Sequence, residues 1–175
     1  MRTFFFAKIC YDLPMKIRRS NIQDLPRIRE IYNQGVASRL ATCDEDEKTL
    51  EERTAWYTQF NDKYPLFVMV DNEQVIGYGA IFPISPKSGY RFAVEHSVYI
   101  DEECHGKGLG RMMLNHLIQE SKARGYTLLE ARIFSHNPVS IKLHESVGFQ
   151  LVGTLKKVAN LDGLWFDVSI YTLDL

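Results

Sequence analysis

The spacing of apolar side chains changes period several times along the chain, and each change marks a new element. Lys16-Ile17-Arg18 alternates like a short strand. Ser20 and Asn21 then stand where a helix cap belongs, ahead of Leu25, Ile28, Ile31 and Tyr32 at helical spacing. Gly35 is placed to end that helix. After a polar, acidic stretch over 36–48, Thr49 and Glu52 form a capping box for a second helix that carries Trp56 and Phe60. Residues 66–70 and 75–82, parted by Asp71-Asn72-Glu73-Gln74, read as a hairpin. A loop over 83–91 with Pro83, Pro86 and Gly89 leads into a strand over 92–100.

Further on, Met113, Leu114, Leu117 and Ile118 mark an amphipathic helix running from 111 to near Gly125. A strand over 127–134 follows. Asn137-Pro138 opens another helix, with Asn as cap and Pro in the first turn, and Gly148 is its terminator. Strands over 149–157 and 165–173 flank a turn at 160–163. The order is one strand, two helices, three antiparallel strands, a helix, a strand, a helix and two strands, with no internal repeat.

A chain of 175 residues, 45% hydrophobic and 25% charged, suits one compact domain. Residues 15–175 read as that domain and residues 1–14 as an N-terminal extension, with Met15 as an alternative start. The apolar run at Phe4, Phe5, Phe6 and Ala7 is broken by Lys8 and Asp12, so it falls short of the roughly 7–15 residues of a signal core. Nothing approaches the roughly 20 apolar residues that span a bilayer, so no membrane partner is expected. Lys plus Arg number 21 against 22 Asp plus Glu, which gives no field for holding a polyanion and argues against nucleic acid. Cys10, Cys43 and Cys104 are widely spaced, as in a reducing compartment, and the expected location is cytoplasmic.

The segment richest in chemistry is Val98-Tyr99-Ile100, then Asp101 to Cys104, then His105-Gly106-Lys107-Gly108-Leu109-Gly110-Arg111. A strand feeds a glycine-rich loop that opens a helix, a geometry that binds phosphate through free amides. It is not a P-loop, which needs Lys directly after its second Gly and a Ser or Thr next. It is not a dinucleotide fingerprint either, because the last Gly of that pattern falls on Arg111. Taken alone, the glycines read equally well as a tight strand-to-helix turn.

Context favours the ligand. The loop resembles the coenzyme A loop of the GNAT superfamily of N-acetyltransferases, Arg/Gln-x-x-Gly-x-Gly/Ala, with His105 in the first place and Gly108 and Gly110 in the glycine places. Asn137, Ser140, Leu143, His144, Glu145, Gly148 and Phe149 are similar to that superfamily's second signature. The likeness spans roughly residues 16–175 and is closest to the phosphinothricin N-acetyltransferase branch. It is carried there by Tyr32-Asn33, Thr49-Leu50-Glu51-Glu52-Arg53, Ser88-Gly89-Tyr90-Arg91, Val94-Glu95-His96-Ser97 and Trp165-Phe166-Asp167-Val168. Leu40-Ala41-Thr42-Cys43 departs from the Thr-Ala-Thr-Phe of that branch by placing a thiol where an aromatic would wall the acceptor pocket.

The resemblance implies an α/β (α+β) fold with a central, twisted, mostly antiparallel mixed sheet and helices on both faces. It also implies acetyl-CoA as co-substrate, with no metal. The main chain of Val98, Tyr99 and Ile100 would meet the pantetheine arm. His105, Gly106, Lys107, Gly108, Leu109, Gly110 and Arg111 would hold the pyrophosphate end, with Asn137 and Ser140 assisting. Direct attack on a thioester requires a neutral amine, and Glu95, three residues before Val98 on one strand, is the candidate general base. A solvent-facing or ion-paired Glu is the alternative. His144 occupies the position implied for the acid that protonates the leaving sulfur, the alternative being an anchor for the neighbouring strand. Lys87 and Arg91 are candidate contacts for an acidic acceptor, and Tyr32 and Tyr90 candidate pocket walls.

His116 and His136 lack metal-ligand spacing, and Cys43 and Cys104 lack a partner base for covalent catalysis. Phe134, Phe149 and Trp165 are assigned to the core. The expected enzyme acetylates a small amino-acid-like amine of the phosphinothricin, methionine sulfoximine or methionine sulfone type, as a homodimer. The alternatives are a protein N-terminus, a polyamine or an aminoglycoside as acceptor, or a non-catalytic acyl-CoA sensor.

Overall fold

The computed structural model describes residues 15–175; the expected extension at 1–14, with Cys10, lies outside them. Seven strands form one sheet: β1 (Lys16–Arg19), β2 (Leu66–Asp71), β3 (Gln74–Pro83), β4 (Ala93–Ile100), β5 (Leu128–Phe134), β6 (Gln150–Leu161) and β7 (Leu164–Asp174). Four α-helices cover it: α1 (Leu25–Ser38), α2 (Leu50–Tyr57), α3 (Leu109–Ala123) and α4 (Pro138–Glu145). The spatial order is β1-β2-β3-β4-β5-β7-β6. Every neighbouring pair is antiparallel except β4 and β5, which run parallel. This is the mixed, mostly antiparallel α+β sheet expected from the sequence.

Period-two alternation sends the two faces of the sheet to different helices. Leu66, Val68 and Val70 of β2 pack with Tyr78 and Ala80 beneath Leu25, Ile28 and Ile31 of α1. Phe67 and Met69 face the other way, with Ile81 and Val94, beneath Met113, Leu114 and Leu117 of α3. A run of five buried residues in β2 therefore serves two cores at once.

Several boundaries differ from the sequence reading, each for a local reason. Gly35 does not end α1. The helix continues to Ser38 and stops at Arg39, whose φ of 55° is left-handed. Gly35 is small for packing instead: a Cβ there would lie 3.2 Å from a ring carbon of Tyr99. Asn21 caps a 3-10 turn over Ile22–Asp24, and α1 starts after it with Pro26 in its first turn. The Thr49–Glu52 capping box is present, but α2 ends at Tyr57, so Phe60 lies beyond the helix, 4.5 Å from Trp56 between ring centroids. α3 begins at Leu109, two residues before 111, and β6 runs on to Leu161. Phe134 and Phe149 are buried, whereas Trp165 is 61% exposed on the terminal hairpin and belongs to no core.

One irregularity of the sheet positions the site. β4 and β5 pair only at Ala93–Leu128, Val94–Leu129 and Glu95–Glu130. Past that point β4 stays registered with β3 as far as Gly77–Ile100, while β5 follows β7 to Phe134–Val168. The two parallel strands thus part after Glu95, leaving a wedge along one edge of residues 96–100.

Candidate active site

β4 separates two environments by alternation. Its even members, Val94, Val98 and Ile100, pack toward α3 and α4. Its odd members, Glu95, Ser97 and Tyr99, line a cleft of about 430 Å³ on the opposite face. That cleft is closed by Tyr32 of α1, by Glu52, Arg53 and Trp56 of α2 and by Tyr78 and Phe82 of β3, with Asp44 and Lys48 at the approach from the α1–α2 loop. The volume is that of a small-molecule site.

Glu95 is half-buried on this cleft, with Arg132 at 3.4 Å and Glu130 its register partner on β5. Burial pushes its carboxyl above the ordinary value; Arg132 opposes the shift and the Glu130 charge adds to it. A carboxylate tuned upward in a cleft has the property a general base near neutral pH requires. Tyr32 donates its hydroxyl to Asp44 at 2.5 Å and meets Thr42 at 2.9 Å. Burial and the nearby Tyr99 raise its pKa, so both phenols remain protonated. Tyr32 and Tyr99 pack edge to face at 5.3 Å, and Tyr99 stacks on Tyr78 at 5.0 Å. The Tyr99 hydroxyl donates to the Ala41 carbonyl, tying the α1–α2 loop to β4.

Lys87, Tyr90 and Arg91 do not line this cleft. All three are exposed on the β3–β4 connection, where Arg91 donates to the Ser88 carbonyl and its guanidinium lies over Phe92. The cleft instead draws on Arg53, Trp56, Tyr78, Phe82 and Ser97, which the sequence reading did not select. The signal available for Arg53 was its place one turn before Trp56, a cation on the inward face of a short amphipathic helix.

On the other side of β4 stands a pair of buried imidazoles. His96 Nε2 lies 3.1 Å from His144 Nε2. His96 Nδ1 faces the Glu130 carbonyl at 3.0 Å, where β4 and β5 part, and His144 Nδ1 faces the Ser140 carbonyl at 2.7 Å. Burial and repulsion by His144 pull His96 down to about 3, and burial lowers His144 as well. Two neutral rings bring two N–H groups, so only two of these three contacts carry a hydrogen, and the pair stands as a strut between α4 and the sheet. Asn137 caps α4 by accepting from the Ser140 amide at 3.0 Å and donates its own amide to Leu40, fastening α4 to the α1–α2 loop.

Beyond β4, a 3-10 turn over Glu102–Cys104 leads to the glycine loop and α3. Gly106 and Gly108 hold φ values of 78° and 77°. A Cβ at either would meet nothing within 4 Å, so the left-handed backbone, not lack of space, calls for glycine. Gly110 differs: it lies in α3, and a Cβ there would come 3.2 Å from Leu143 of α4, so it serves close helix packing. The amides of Gly106, Lys107 and Gly108 find no backbone acceptor among the described residues, and the first α3 amides are free by helix geometry. Exposed His105 sets its Nε2 against the Ile100 carbonyl at 2.9 Å, and exposed Lys107 reaches the Glu103 carbonyl at 3.4 Å. Arg111 is exposed at the mouth of the loop. A row of outward amides at a helix start, beside a strand edge that lacks a partner, fits a ligand with a phosphate end and an amide-bearing arm.

The acetyltransferase (GNAT) domain family matches residues 17–170. The chain belongs to the GNAT acetyltransferases. Among relatives of this GNAT enzyme is the L-methionine sulfoximine/L-methionine sulfone acetyltransferase of Pseudomonas aeruginosa, 37% identical over 161 residues, spanning 91% of this chain and 94% of that one. An acetyltransferase of Salmonella typhimurium solved with acetyl-CoA superposes with a TM-score of 0.88 at 36% identity, covering 93% and 94% of the two chains. A ribosomal-protein-alanine N-acetyltransferase of Brucella melitensis gives a TM-score of 0.88 at 38% identity, covering 91% and 99%.

No group of His, Cys, Asp and Glu among the described residues of this GNAT enzyme could hold a metal ion, and no described helix is long and apolar enough to cross a membrane. Partial burial and Asp44 push the Cys43 thiol up, away from the thiolate that a covalent acyl-enzyme route would use.

Proposed function

We propose that the enzyme transfers acetyl from acetyl-CoA directly to the amino group of a small amino-acid-like acceptor of the methionine sulfone, methionine sulfoximine or phosphinothricin type. The observation that carries this reading is the position of Glu95: its side chain lies on a cleft of small-molecule size, and the wedge along β4 opens directly after it. In this reading the acetyl donor lies along the unpaired edge of Val98, Tyr99 and Ile100, with its phosphate end on the amides of 106–110. The acceptor enters from the cleft. Glu95, directly or through one water, takes the proton from the acceptor ammonium, and the freed amine attacks the thioester carbonyl. Main-chain amides near Val98 and Tyr99 hold the carbonyl oxygen as charge develops on it. The tetrahedral species then expels the thiolate, with no acyl-enzyme.

His144 acts in this reading as a positioning residue. Both its ring nitrogens face protein atoms and its side chain is buried, so its effect passes through His96 to the strand that bears Glu95. We also propose a cytoplasmic homodimer. Val152, Val158, Leu164 and Trp165 are each exposed apolar side chains on the β6–β7 hairpin, and in this reading a second copy covers the face that bears Trp165. Light scattering on Trp165→Glu compared with the parent chain tests that surface.

The acceptor is tested by acetyl-CoA-dependent thiol release with methionine sulfone, methionine sulfoximine and phosphinothricin beside polyamines, an aminoglycoside and a peptide beginning with alanine. Turnover confined to the amino-acid analogues is the expected result. A preference for the alanine peptide would move the assignment to a protein N-terminus, the reading that the Brucella relative's name favours. Binding of acetyl-CoA with no turnover of any amine would point to a sensor.

A further inference from the structure

The cleft holds a buried cation with no partner. Arg53 is 4% exposed, and its Nε and Nη2 meet no hydrogen-bond acceptor among the described residues. No carboxylate pairs with it, whereas Arg18, Arg27, Arg39, Arg124 and Arg132 each have one. Its guanidinium is held by aromatic faces: the central carbon lies 3.4 Å from the Trp56 ring centroid and 4.4 Å from that of Tyr32. Aromatic faces stabilise the charge from above and below but accept nothing from the N–H groups at the edge of the plane. Leaving such donors unpaired away from water costs several times what an ordinary hydrogen bond contributes, so the arrangement stands ready for an acceptor that arrives from outside.

A second orphan lies on the same cleft. The Tyr78 hydroxyl is fully buried and has no hydrogen-bond partner. The Arg53 charge is close enough to act on the ionisation of Tyr78, yet no hydrogen bond of ordinary geometry joins the two. The other charged groups of the cleft are already engaged. Asp44 takes the Tyr32 hydroxyl and pairs with Lys48 at 3.2 Å, and Glu52 accepts the Thr49 amide at 2.7 Å. Arg53 alone of these charges has no polar partner among the described residues; Glu95, which faces Arg132 at 3.4 Å, stands on another wall of the same cleft.

We propose that Arg53, assisted by the Tyr78 hydroxyl, binds the carboxylate of the acceptor and so selects α-amino acids over amines that lack one. A planar guanidinium fixed by stacking presents parallel N–H donors to a carboxylate, and a zwitterion then satisfies both walls: its carboxylate on Arg53, its ammonium toward Glu95. An amine without the carboxylate leaves Arg53 unpaired, and a site built around a buried donor rejects such analogues strongly. The inference rests on the small-amine reading of the cleft.

The experiment compares L-methionine sulfone with the same amine bearing hydrogen in place of its carboxylate. Thiol release is measured for the parent enzyme and for Arg53→Gln, with direct calorimetric binding of L-methionine sulfone to each protein alongside. The parent enzyme is expected to prefer the sulfone by about 100-fold or more in kcat/KM, and Arg53→Gln to collapse that ratio toward unity, chiefly through KM. Tyr78→Phe, which removes one oxygen and keeps the ring, is expected to lower the ratio about tenfold, and it stands in for Arg53→Gln if that variant fails to fold. An equal loss on both amines, or an unchanged ratio in Tyr78→Phe and Arg53→Gln, overturns the assignment. If the parent enzyme turns over neither amine, the small-amine reading fails, and binding decides Arg53 separately. Calorimetric affinity for the sulfone that Arg53→Gln abolishes upholds the carboxylate site; absent or unaltered affinity removes it.

Discussion

On one side of β4 the site is made of main chain, and on the other of side chains. The wedge and the 106–110 loop offer amides, and glycine is required there only where φ is left-handed, at Gly106 and Gly108. The cleft offers Glu95, Tyr32, Arg53 and Tyr78 from four separate elements, none within twelve residues of another. A main-chain site tolerates changes in the side chains around it and recognises what its ligands share. A side-chain site can change with a single substitution. On the proposed reading, the same strand joins a constant half for the acetyl donor to an adjustable half for the acceptor.

The largest effect expected from that contrast is at Glu95. Glu95→Gln keeps the shape of the cleft and removes the proposed base, and kcat at neutral pH should fall about 10²- to 10⁴-fold with little change in KM for acetyl-CoA. The parent enzyme should lose kcat/KM on the acid side, since protonated Glu95 accepts no proton. Because burial and Glu130 raise its pKa, that limb should lie above the ordinary carboxylate value of 4.5. Steady-state rates from pH 5 to 8 check both points. A variant within a few-fold of the parent, with the acid limb intact, would remove Glu95 from the chemistry.

Legibility in the sequence follows the same division. The donor half is local: Val98 through Arg111 is one continuous segment, so its spacing alone exposes a strand, a glycine loop and a helix start. The element order was readable too, because caps such as Thr49–Glu52 and Asn137–Pro138 act over three or four residues. The acceptor half is assembled by folding. Lys87, Tyr90 and Arg91 precede β4 closely in sequence yet end on an exposed connection, while Arg53, more than forty residues before Glu95, shares its cleft. Gly35 was misread for a related reason: local propensity assigns a glycine to a helix end, and only the packing of Tyr99 against α1 gives it another use.

The imidazole pair lies where the two halves meet. His96 and His144 have depressed folded-state pKa values, so below the ordinary imidazole value of 6.5 the unfolded chain binds protons that the folded chain refuses. Stability should therefore be fully present above that value and fall as the pH drops, for His96 down to about 3, by up to about 1.4 kcal/mol per pH unit for each ring over the range in which its folded and unfolded states differ in charge. Denaturant unfolding at pH 7.5 and 5.5 measures the slope, and His96→Gln should flatten it. An unaltered slope would mean that the rings are not the strut described.

Gly108→Val addresses the main-chain half. A β-branched residue at φ 77° costs about 1–2 kcal/mol of local strain, and KM for acetyl-CoA should rise about tenfold with kcat nearly kept. Gly108→Asn, which accepts that conformation more readily, should rise less. Equal effects from both would implicate lost space, which the open surroundings of Gly108 argue against.

The smallest effect is expected at His105, and it is the sharpest test of a donor half made of backbone. His105 fills the place that Arg or Gln holds in the related loop, yet its ring is exposed and turned back onto the Ile100 carbonyl at 2.9 Å. An exposed hydrogen bond of this kind contributes about 0.5 kcal/mol or less, so His105→Ala should change KM for acetyl-CoA by no more than about twofold. A tenfold rise, comparable to that of Gly108→Val, would show the imidazole carrying a phosphate contact of its own. The donor half would then share the side-chain character of the acceptor cleft, and the division along β4 would lie at the loop's first residue instead of at the strand.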